Sequence, residues 1–598
     1  MALFSIRDLK IGFETLDGAV EAVKGISLDI SPGQCVGVVG ESGSGKSQTF
    51  MAAMGLLAQN GRTAGSVTLS GQELLNRPVA ELNKIRGSDL SMIFQDPLTA
   101  LTPHLRIGKQ MEEVLKTHTN ARGSDLNRIC LEWMDRVRIP EAAHRLMQYP
   151  HELSGGMRQR VMIAMAMLCN PKMLIADEPT TALDVTVQAE ILDLMATLQK
   201  EENTAIALIT HDMGVVARMC DHIHIMRHGV FVEEGPTHTI FDAPQEAYTK
   251  NLLSAMPRLD ASAERPPLRP DAETVLDVQD VGVTFGIKST RGLFRRTLPL
   301  RAVDEVSFTL AQGETLGIVG ESGCGKSTLA RAVLQLVPAT GGSVTWLGKD
   351  LVNLPKPALK PIRKDLQIVF QDPLASLNPR MTISASIAEP LKVYQPNLTQ
   401  ADRSRRVTDM MERVGLNANM INRYPHELSG GQNQRVGIAR AMINRPKLVV
   451  CDEAVSALDV SIQAQIIDLL KELQADFGMS MLFISHDLSV VRSVSDRIMV
   501  LYLGRVVELA DRDAIFETPR HPYTKSLISA VPIPDPNAEA ARDRLRLTGD
   551  LPSPLDPKAG LRFLPSKLAA MGSDYRPQLN QVSPGHFVQE HDPLEALV

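Results

Sequence analysis

The sequence predicts an α/β protein built from two tandem copies of one phosphate-binding-loop domain, followed by a tail. Three observations carry that expectation. GESGSGKS (40–47) and GESGCGKS (320–327) are one glycine-rich loop written twice. Each follows a short apolar run, CVGVVG (35–40) or TLGIVG (315–320), and precedes a helical pattern, which is the strand–loop–helix context the motif needs. Further features then recur in the same order: Gln95 with Gln371, Ser154 with Ser429, Asp177 with Asp452, and His211 with His486. The two loop lysines stand 280 residues apart, and the separation settles at 275 for the last three pairs. A repeat that long is a duplicated domain, not a solenoid unit.

Composition agrees. A chain of 598 residues holds several domains, and 44% hydrophobic with 22% charged residues is an ordinary globular balance with ample core material. A net charge of −6 gives no basic excess for nucleic acid. No run of 18 apolar residues is present to span a bilayer. The N-terminus, MALFSIRDLKIGF, lacks the basic region, apolar stretch and cleavage site of a signal peptide. Cys35, Cys130, Cys169, Cys220, Cys324 and Cys451 form no CxxC pair, which argues against zinc and for reduced thiols in a cytosolic chain.

Taken in order, the loops come first. Gly40, Ser42, Gly43 and Gly45, with Gly320, Ser322, Gly323 and Gly325, bring backbone N–H groups up to phosphate oxygens at a helix N-terminus. Lys46 and Lys326 reach the β- and γ-phosphates, and Ser47 and Ser327 are Mg²⁺ ligands. In IFQDP (93–97) and VFQDP (369–373), Gln95 and Gln371 suit a Mg²⁺ or a water, and the proline ends the strand. LSGGMRQR (153–160) and LSGGQNQR (428–435) place Ser154 and Ser429 as N-caps. Gly156 and Gly431 then allow close backbone approach, so these are either anion sites or plain capped helices.

KMLIADEPTTALD (172–184) and KLVVCDEAVSALD (447–459) are apolar strands that end in two carboxylates, costly to bury without a cation or polar partners. Asp177 and Asp452 suit Mg²⁺ through water; Glu178 and Glu453 suit polarising an attacking water. The alternative is a solvated acidic turn. ALITHD (207–212) and LFISHD (482–487) put His211 and His486 at strand ends. One such histidine alone reads as structural; its recurrence points to a γ-phosphate hydrogen bond.

The divisions follow. Residues 1–258 and 274–533 are the two domains, 259–273 a Pro-rich mixed-charge linker, and 534–598 a tail expected to be irregular. AYTKNLLSAMP (247–257) and PYTKSLISAVP (522–532) mark matching ends, and STRGLFRRTLPLR (289–301) reads as an extra exposed loop of the second copy.

The five motifs, in this order and present twice, resemble those of the ATP-binding cassette (ABC) ATPases. The resemblance implies in each half a P-loop NTPase fold: a RecA-like core, an antiparallel β subdomain and a helical subdomain. It makes the loops Walker A, the acidic strands Walker B, LSGG the signature, Gln95 and Gln371 the Q-loops, Asp184 and Asp459 the D-loops, and His211 and His486 the switch histidines. It implies ATP and Mg²⁺ as ligands. An aromatic residue that stacks on adenine is also implied; Phe13 and Phe285 are the candidates, and either also suits a core. In this family each nucleotide lies between the Walker motifs of one domain and the signature of the other. That would pair Lys46, Asp177 and Glu178 with Ser429 and Gly431, and Lys326, Asp452 and Glu453 with Ser154 and Gly156.

More narrowly, YPHELSGG, ADEPTTALDVTVQAEIL, FQDPLASLNPR and the YTKxLxSA ends are similar to the peptide, opine and nickel importers. DEAVSALDVSI, with Ala454 where proline is usual, and GDLPS and PGHFV in the tail resemble the tandem glutathione-import subunits most. The resemblance implies an ATP-hydrolysing subunit, peripheral at the cytoplasmic face of a bacterial inner membrane, that energises import of glutathione or of di- or oligopeptides. Its implied partners are two transmembrane permease subunits, met near 97–150 and 373–425, and indirectly a periplasmic substrate-binding protein; nucleic acid is not among them. The rival is a soluble tandem cassette ATPase acting on ribosomes or DNA. The short mixed linker and the lack of CxxC modules count against it. Gln48 and Asn433 depart from the family's usual Thr and Arg, which could make the two sites unequal. LPSPLDPKAGLRFLPSK (551–567) keeps the frame of an iron–sulfur-binding tail without a cysteine.

Overall fold

In the first strand, β1 (Phe4–Thr15), Phe4, Ile6, Leu9 and Ile11 are buried and their polar neighbours are not, and this pattern sets the layer that opens each half. The structure is a computed structural model that describes residues 2–597 apart from 16–17, 182, 258, 260–271, 289–296, 457, 548–551, 557 and 573–574. It divides into two compact units. One is Met1–Met256 with Pro532–Arg542; the other is Pro257–Val531 with Asp543–Val598.

In the first unit, β1 pairs antiparallel with β2 (Gly18–Ile30), from Phe4↔Ile30 to Thr15↔Gly18. After β3 (Cys35–Val39), the strands β4 (Gly61–Leu69) and β5 (Gln72–Glu73) complete an antiparallel sheet in the order β2-β1-β4-β5. The second sheet uses β3, β6 (Leu90–Ile93), β7 (Met173–Asp177), β8 (Ala205–Thr210), β9 (His222–Arg227) and β10 (Val230–Pro236), in the order β10-β9-β3-β8-β7-β6. β3, β6, β7, β8 and β9 are parallel; β10 is antiparallel to β9.

Every residue of β3, β7 and β8 is buried, as expected of parallel strands covered on both faces. Alternate side chains therefore feed two cores. Val36, Val38, Ile175 and Ile209 join Phe4, Ile6 and Phe50 between the two sheets. Leu174, Ala176, Ile206 and Leu208 join Trp133, Met134, Val161 and Ile163 of the helices inserted between β6 and β7. The longest of those helices are Ile107–His118, Ser124–Arg136 and Gly155–Met167. Truncating one such side chain, Ile175→Ala, costs about 2–5 kcal/mol.

The second unit repeats the plan with β11 (Thr274–Lys288), β12 (Thr297–Ala311), β13 (Thr315–Val319), β14 (Gly341–Trp346), β15 (Lys349–Asp350), β16 (Leu366–Val369), β17 (Leu448–Asp452), β18 (Ser480–Ile484), β19 (Arg497–Tyr502) and β20 (Arg505–Asp511). The antiparallel sheet is β12-β11-β14-β15. The main sheet has eight strands because the tail supplies β21 (Leu579–Ser583) and β22 (His586–Gln589), in the order β16-β17-β18-β13-β19-β20-β22-β21.

Three sequence expectations change here. The tail is not irregular throughout: Val588 and Phe587 pair with Glu508 and Leu509 of β20, and a hairpin turn with Gly585 at φ 73° returns the chain. Nor is it one piece, since Pro532–Arg542 packs with the first unit and Asp543 onward with the second. In the expected loop 289–301, residues 297–301 are strand, running from Lys288↔Thr297 to Thr284↔Arg301, because the exposed end of β11, Thr284–Lys288, offers them an edge to pair with. Residues 289–296 of that loop, most of the linker 259–273 and part of GDLPS lie outside the described residues. Among the described residues, no helix is long and apolar enough to cross a membrane.

Candidate functional site

The parallel order of β3, β7 and β8 brings three loops to one edge of the first unit, at the C-terminal ends of the strands. Helix Lys46–Ala53 starts from Gly45, which sits at φ 107°; a Cβ there would lie 2.6 Å from the carbonyl oxygen of Ala22. Only glycine fits that turn. Lys46 Nζ is buried and donates to the carbonyl oxygens of Gly40 (2.6 Å) and Glu41 (2.9 Å), curling the loop around the ammonium. Ser47 Oγ donates to Asp177 Oδ1 at 2.9 Å.

Asp177 and Glu178 are neighbours in sequence but point to different partners. Glu178 has left-handed backbone, φ 46°, and its N–H still reaches the carbonyl of Ile209 (2.9 Å). The kink leaves Asp177 on Ser47 and carries Glu178 to a second set of groups. Gln95 Nε2 and Thr181 Oγ1 donate to its Oε2 at 2.8 and 2.9 Å, and His211 Nδ1 lies 3.2 Å from its Oε1. Burial raises Asp177 above the usual carboxylate range, against the hydrogen bond from Ser47. Burial pushes Glu178 the same way, but the His211 and Thr181 hydrogen bonds and the charge of Lys46 outweigh it and hold Glu178 low. The hydrogen bond to Glu178 in turn raises His211, against burial.

The second unit builds the same cluster. Lys326 Nζ donates to Gly320 (2.6 Å) and Glu321 (3.1 Å) carbonyls, and Ser327 Oγ to Asp452 Oδ1 (2.7 Å). Gln371 Nε2 donates to Glu453 Oε2 (2.7 Å), and His486 Nδ1 is 3.5 Å from the same oxygen. Glu453 repeats the left-handed kink at φ 49°. The His486 hydrogen bond is the foremost cause that lowers Glu453, and its counterpart raises His486. Two groups break the symmetry: Ser456, the counterpart of Thr181, donates to the Glu453 carbonyl and not to its carboxylate, and Arg331 Nη2 lies 3.8 Å from Asp452 Oδ2, where the 280-residue offset of the loops puts Met51 in the first copy.

The sequence-predicted residues thus fall into two sets. Lys46, Ser47, Gln95, Asp177, Glu178 and His211 come together, as do Lys326, Ser327, Gln371, Asp452, Glu453 and His486. Ser154 and Ser429 cap their helices from exposed positions. Ser154 Oγ accepts from Met157 N–H and Ser429 Oγ from Gln432 N–H, each at 3.3 Å. Gly156 and Gly431 have no room for a side chain, since a Cβ would meet Val187 at 2.6 Å and Ile462 at 2.8 Å. Asn433, the departure noted above, is buried and donates to the carbonyls of Pro425 and Leu428. Of the aromatic candidates, Phe13 packs against the inter-sheet core, whereas Phe285 is 43% exposed. Sequence reasoning missed Thr181, three residues after Glu178, and Arg331, which nothing but alignment of the two copies would have singled out.

The donor sets are oxygen only around Ser47 with Asp177 and Ser327 with Asp452, which suits a hard cation. The glycine cradle with a buried lysine suits a polyphosphate.

The model of the family described as "ABC transporter" matches residues 23–181 and 303–456. That of "Oligopeptide/dipeptide transporter, C-terminal region" matches 232–285 and 507–567. The chain is 44% identical over 618 aligned residues to the glutathione import ATP-binding protein GsiA of Shigella sonnei (strain Ss046), covering 98% of this chain and 97% of that one. The protein of the same name from Escherichia coli (strain K12) matches equally, 44% over the same shares. Among solved structures, the ATP-binding cassette MJ0796 in a dimeric post-hydrolysis state with ADP and Pi is 29% identical. It aligns with a TM-score of 0.36, over 40% of this chain and 98% of that one.

Proposed function

This chain belongs to the ABC transporter ATP-binding proteins, and on that premise we propose that it is the ATP-hydrolysing subunit of an importer for glutathione or other short peptides. The observation that carries the reading is the doubled constellation. Two kinked Walker B strands each hold one carboxylate on the loop serine and the next on a glutamine and a histidine. In phosphoryl transfer the protein's task is positioning and charge stabilisation. Lys46 and Lys326 leave their carbonyl partners to hold the β- and γ-phosphates. Glu178 and Glu453, kept ionised by their partners, orient and polarise the attacking water. Gln95 and Gln371, already on those carboxylates, orient it from the side, and His211 and His486 face the γ-phosphate.

Ser47 with Asp177, and Ser327 with Asp452, would hold Mg²⁺, which when bound neutralises charge on the phosphates. The raised Asp177 and Asp452 fit this role, since a cation would replace the partner that burial leaves wanting. We keep as part of the proposal that Ser429 and Gly431 complete the Lys46 site and Ser154 and Gly156 the Lys326 site, and that Phe285 stacks on adenine. The partners would be two permease subunits at the cytoplasmic face of the inner membrane, served by a periplasmic binding protein. The identity to glutathione-import proteins along nearly the whole chain supports this.

The test is uptake of labelled glutathione into proteoliposomes holding the chain with its cognate permease pair and binding protein. Glu178→Gln with Glu453→Gln should abolish ATP-driven uptake. Uptake of other peptides but not glutathione would move the substrate assignment, and uptake that persists in the double variant would sink the reading.

A further inference from the structure

One buried side chain connects the tail to the second phosphate loop. Tyr523 belongs to the PYTKSLISAVP segment and is 3% exposed. Its hydroxyl makes two hydrogen bonds with one residue: the oxygen accepts from the N–H of Glu321 (3.2 Å), and the O–H donates to Glu321 Oε2 (3.1 Å). Glu321 is the second residue of GESGCGKS, and its carbonyl is one of the two that hold the Lys326 ammonium. Tyr523 therefore grips, through both backbone and side chain, the point at which the loop leaves β13.

The ring of Tyr523 is itself held by the tail. Phe563 lies 6.0 Å from it and 5.0 Å from Tyr502, and Tyr502 meets Tyr523 edge-on at 4.8 Å. Phe563 is 4% exposed, and its carbonyl accepts from the N–H of Asp592 (2.7 Å), three residues past β22. So the order of contact runs from the sheet-bound hairpin through Phe563 and Tyr523 to Glu321. Aromatic neighbours of this kind fix a ring's position, and a hydroxyl on a fixed ring fixes what it binds.

We propose that Tyr523 is a positioning residue for the second ATP site, and that the tail, acting on its ring through Phe563, sets the affinity of that site separately from the first. The inference rests on the reading of the loop as a nucleotide cradle. Tyr523→Phe removes only the oxygen, keeps the aromatic packing, and leaves the Glu321 carboxylate and N–H without this partner. Loss of a hydrogen bond of ordinary net strength changes an equilibrium by about three- to tenfold.

The measurement is binding of a fluorescent N-methylanthraniloyl ATP with Mg²⁺ to the full chain in two backgrounds. With Lys46→Ala, the second loop alone keeps its lysine; with Lys326→Ala, the first alone does. Tyr523→Phe should weaken binding about fivefold in the first background and not in the second. Phe563→Leu, which keeps an apolar side chain of similar bulk, should weaken it in the same background and add nothing once Tyr523→Phe is present. Equal weakening in both backgrounds would mean general loosening and would overturn the proposal, as would affinity within twofold of the parent in the Lys46→Ala background. If that parent binds no nucleotide at all, the cradle reading fails first and this inference with it.

Discussion

Replacing Glu178 by Gln separates charge from shape at the first site. The carboxylate Oε2 receives two donors, Gln95 and Thr181, and Oε1 faces His211 Nδ1. A glutamine amide can keep all three contacts: its oxygen toward Gln95 and Thr181, its NH₂ toward a neutral Nδ1. Charge-assisted bonds become neutral ones at a cost of about 1 kcal/mol or less each, so the fold survives with a melting temperature changed by only a few degrees. What disappears is the base. Loss of a positioned general base lowers turnover by about 10²- to 10⁴-fold, about 3–5 kcal/mol of barrier. Phosphate release by the purified chain at saturating MgATP reads this directly. A second readout is independent of turnover. The foremost cause that raises His211 is its bond to Glu178, so the variant's His211 should titrate lower than the parent's by NMR. Turnover within twofold of the parent when Glu178→Gln is combined with Glu453→Gln, in a variant whose His211 has shifted as expected, would refute the assignment of Glu178 as the residue that activates water.

Other expectations follow from the same geometry. Glu453→Gln should act like Glu178→Gln; full activity in either variant would show that its site is not needed for turnover. The double variant in saturating MgATP should keep the mass of one chain, 65.4 kDa, in light scattering at every concentration, and a doubling would show that halves pair between chains. Gly45→Ala puts a Cβ 2.6 Å from the Ala22 carbonyl oxygen at φ 107°, so it should abolish nucleotide binding in the Lys326→Ala background; binding that survives would show that the loop turn is compliant. Burial pushes His521 well below the usual histidine range, and its Nδ1 accepts from Tyr523 N–H. A lowered folded pKa means stability is complete above about pH 6.5 and falls below it, by up to about 1.4 kcal/mol per pH unit. Calorimetry of the second unit's transition between pH 7 and 5 should show that loss, and His521→Asn should flatten it; an unchanged slope would assign the loss to other groups.

The site was legible in the sequence because each part sits beside a hydrophobic strand whose end is fixed by the sheet. CVGVVG, KMLIADE and ALITHD are continuous apolar runs, so their C-terminal residues had to gather at one edge. Groups whose role depends on a side chain from a distant, unpatterned segment could not be read this way. Arg331 looks like any exposed helix residue until Asp452 is found 3.8 Å away. The kink at Glu178 is invisible because left-handed backbone at a non-glycine residue leaves no mark in composition. The tail defeated pattern reading for a physical reason: HFVQ is only four residues long, and a strand that short takes its stability from the partner edge and not from its own alternation.

That hairpin also changes what the second unit presents to other chains. A free edge strand offers a row of unused N–H and C=O groups to any passing strand, and so invites self-association. In the second unit, β22 occupies the outer side of β20, whose Val506, Val507, Leu509 and Ala510 are buried. The corresponding strand of the first unit, β10, is the terminal strand of its sheet and carries Glu233, Glu234 and Pro236, residues that repel or cannot accept a further strand. The two copies thus guard equivalent borders by different means, one by charge and proline, the other by a cover. A chain shortened before residue 579 would strip that cover from a strand whose charges, Arg505 and Asp511 at its ends and Glu508 between, leave Val506, Val507, Leu509 and Ala510 to the bare border, and clumping of the truncated protein would reflect that border and not a failure of the nucleotide fold.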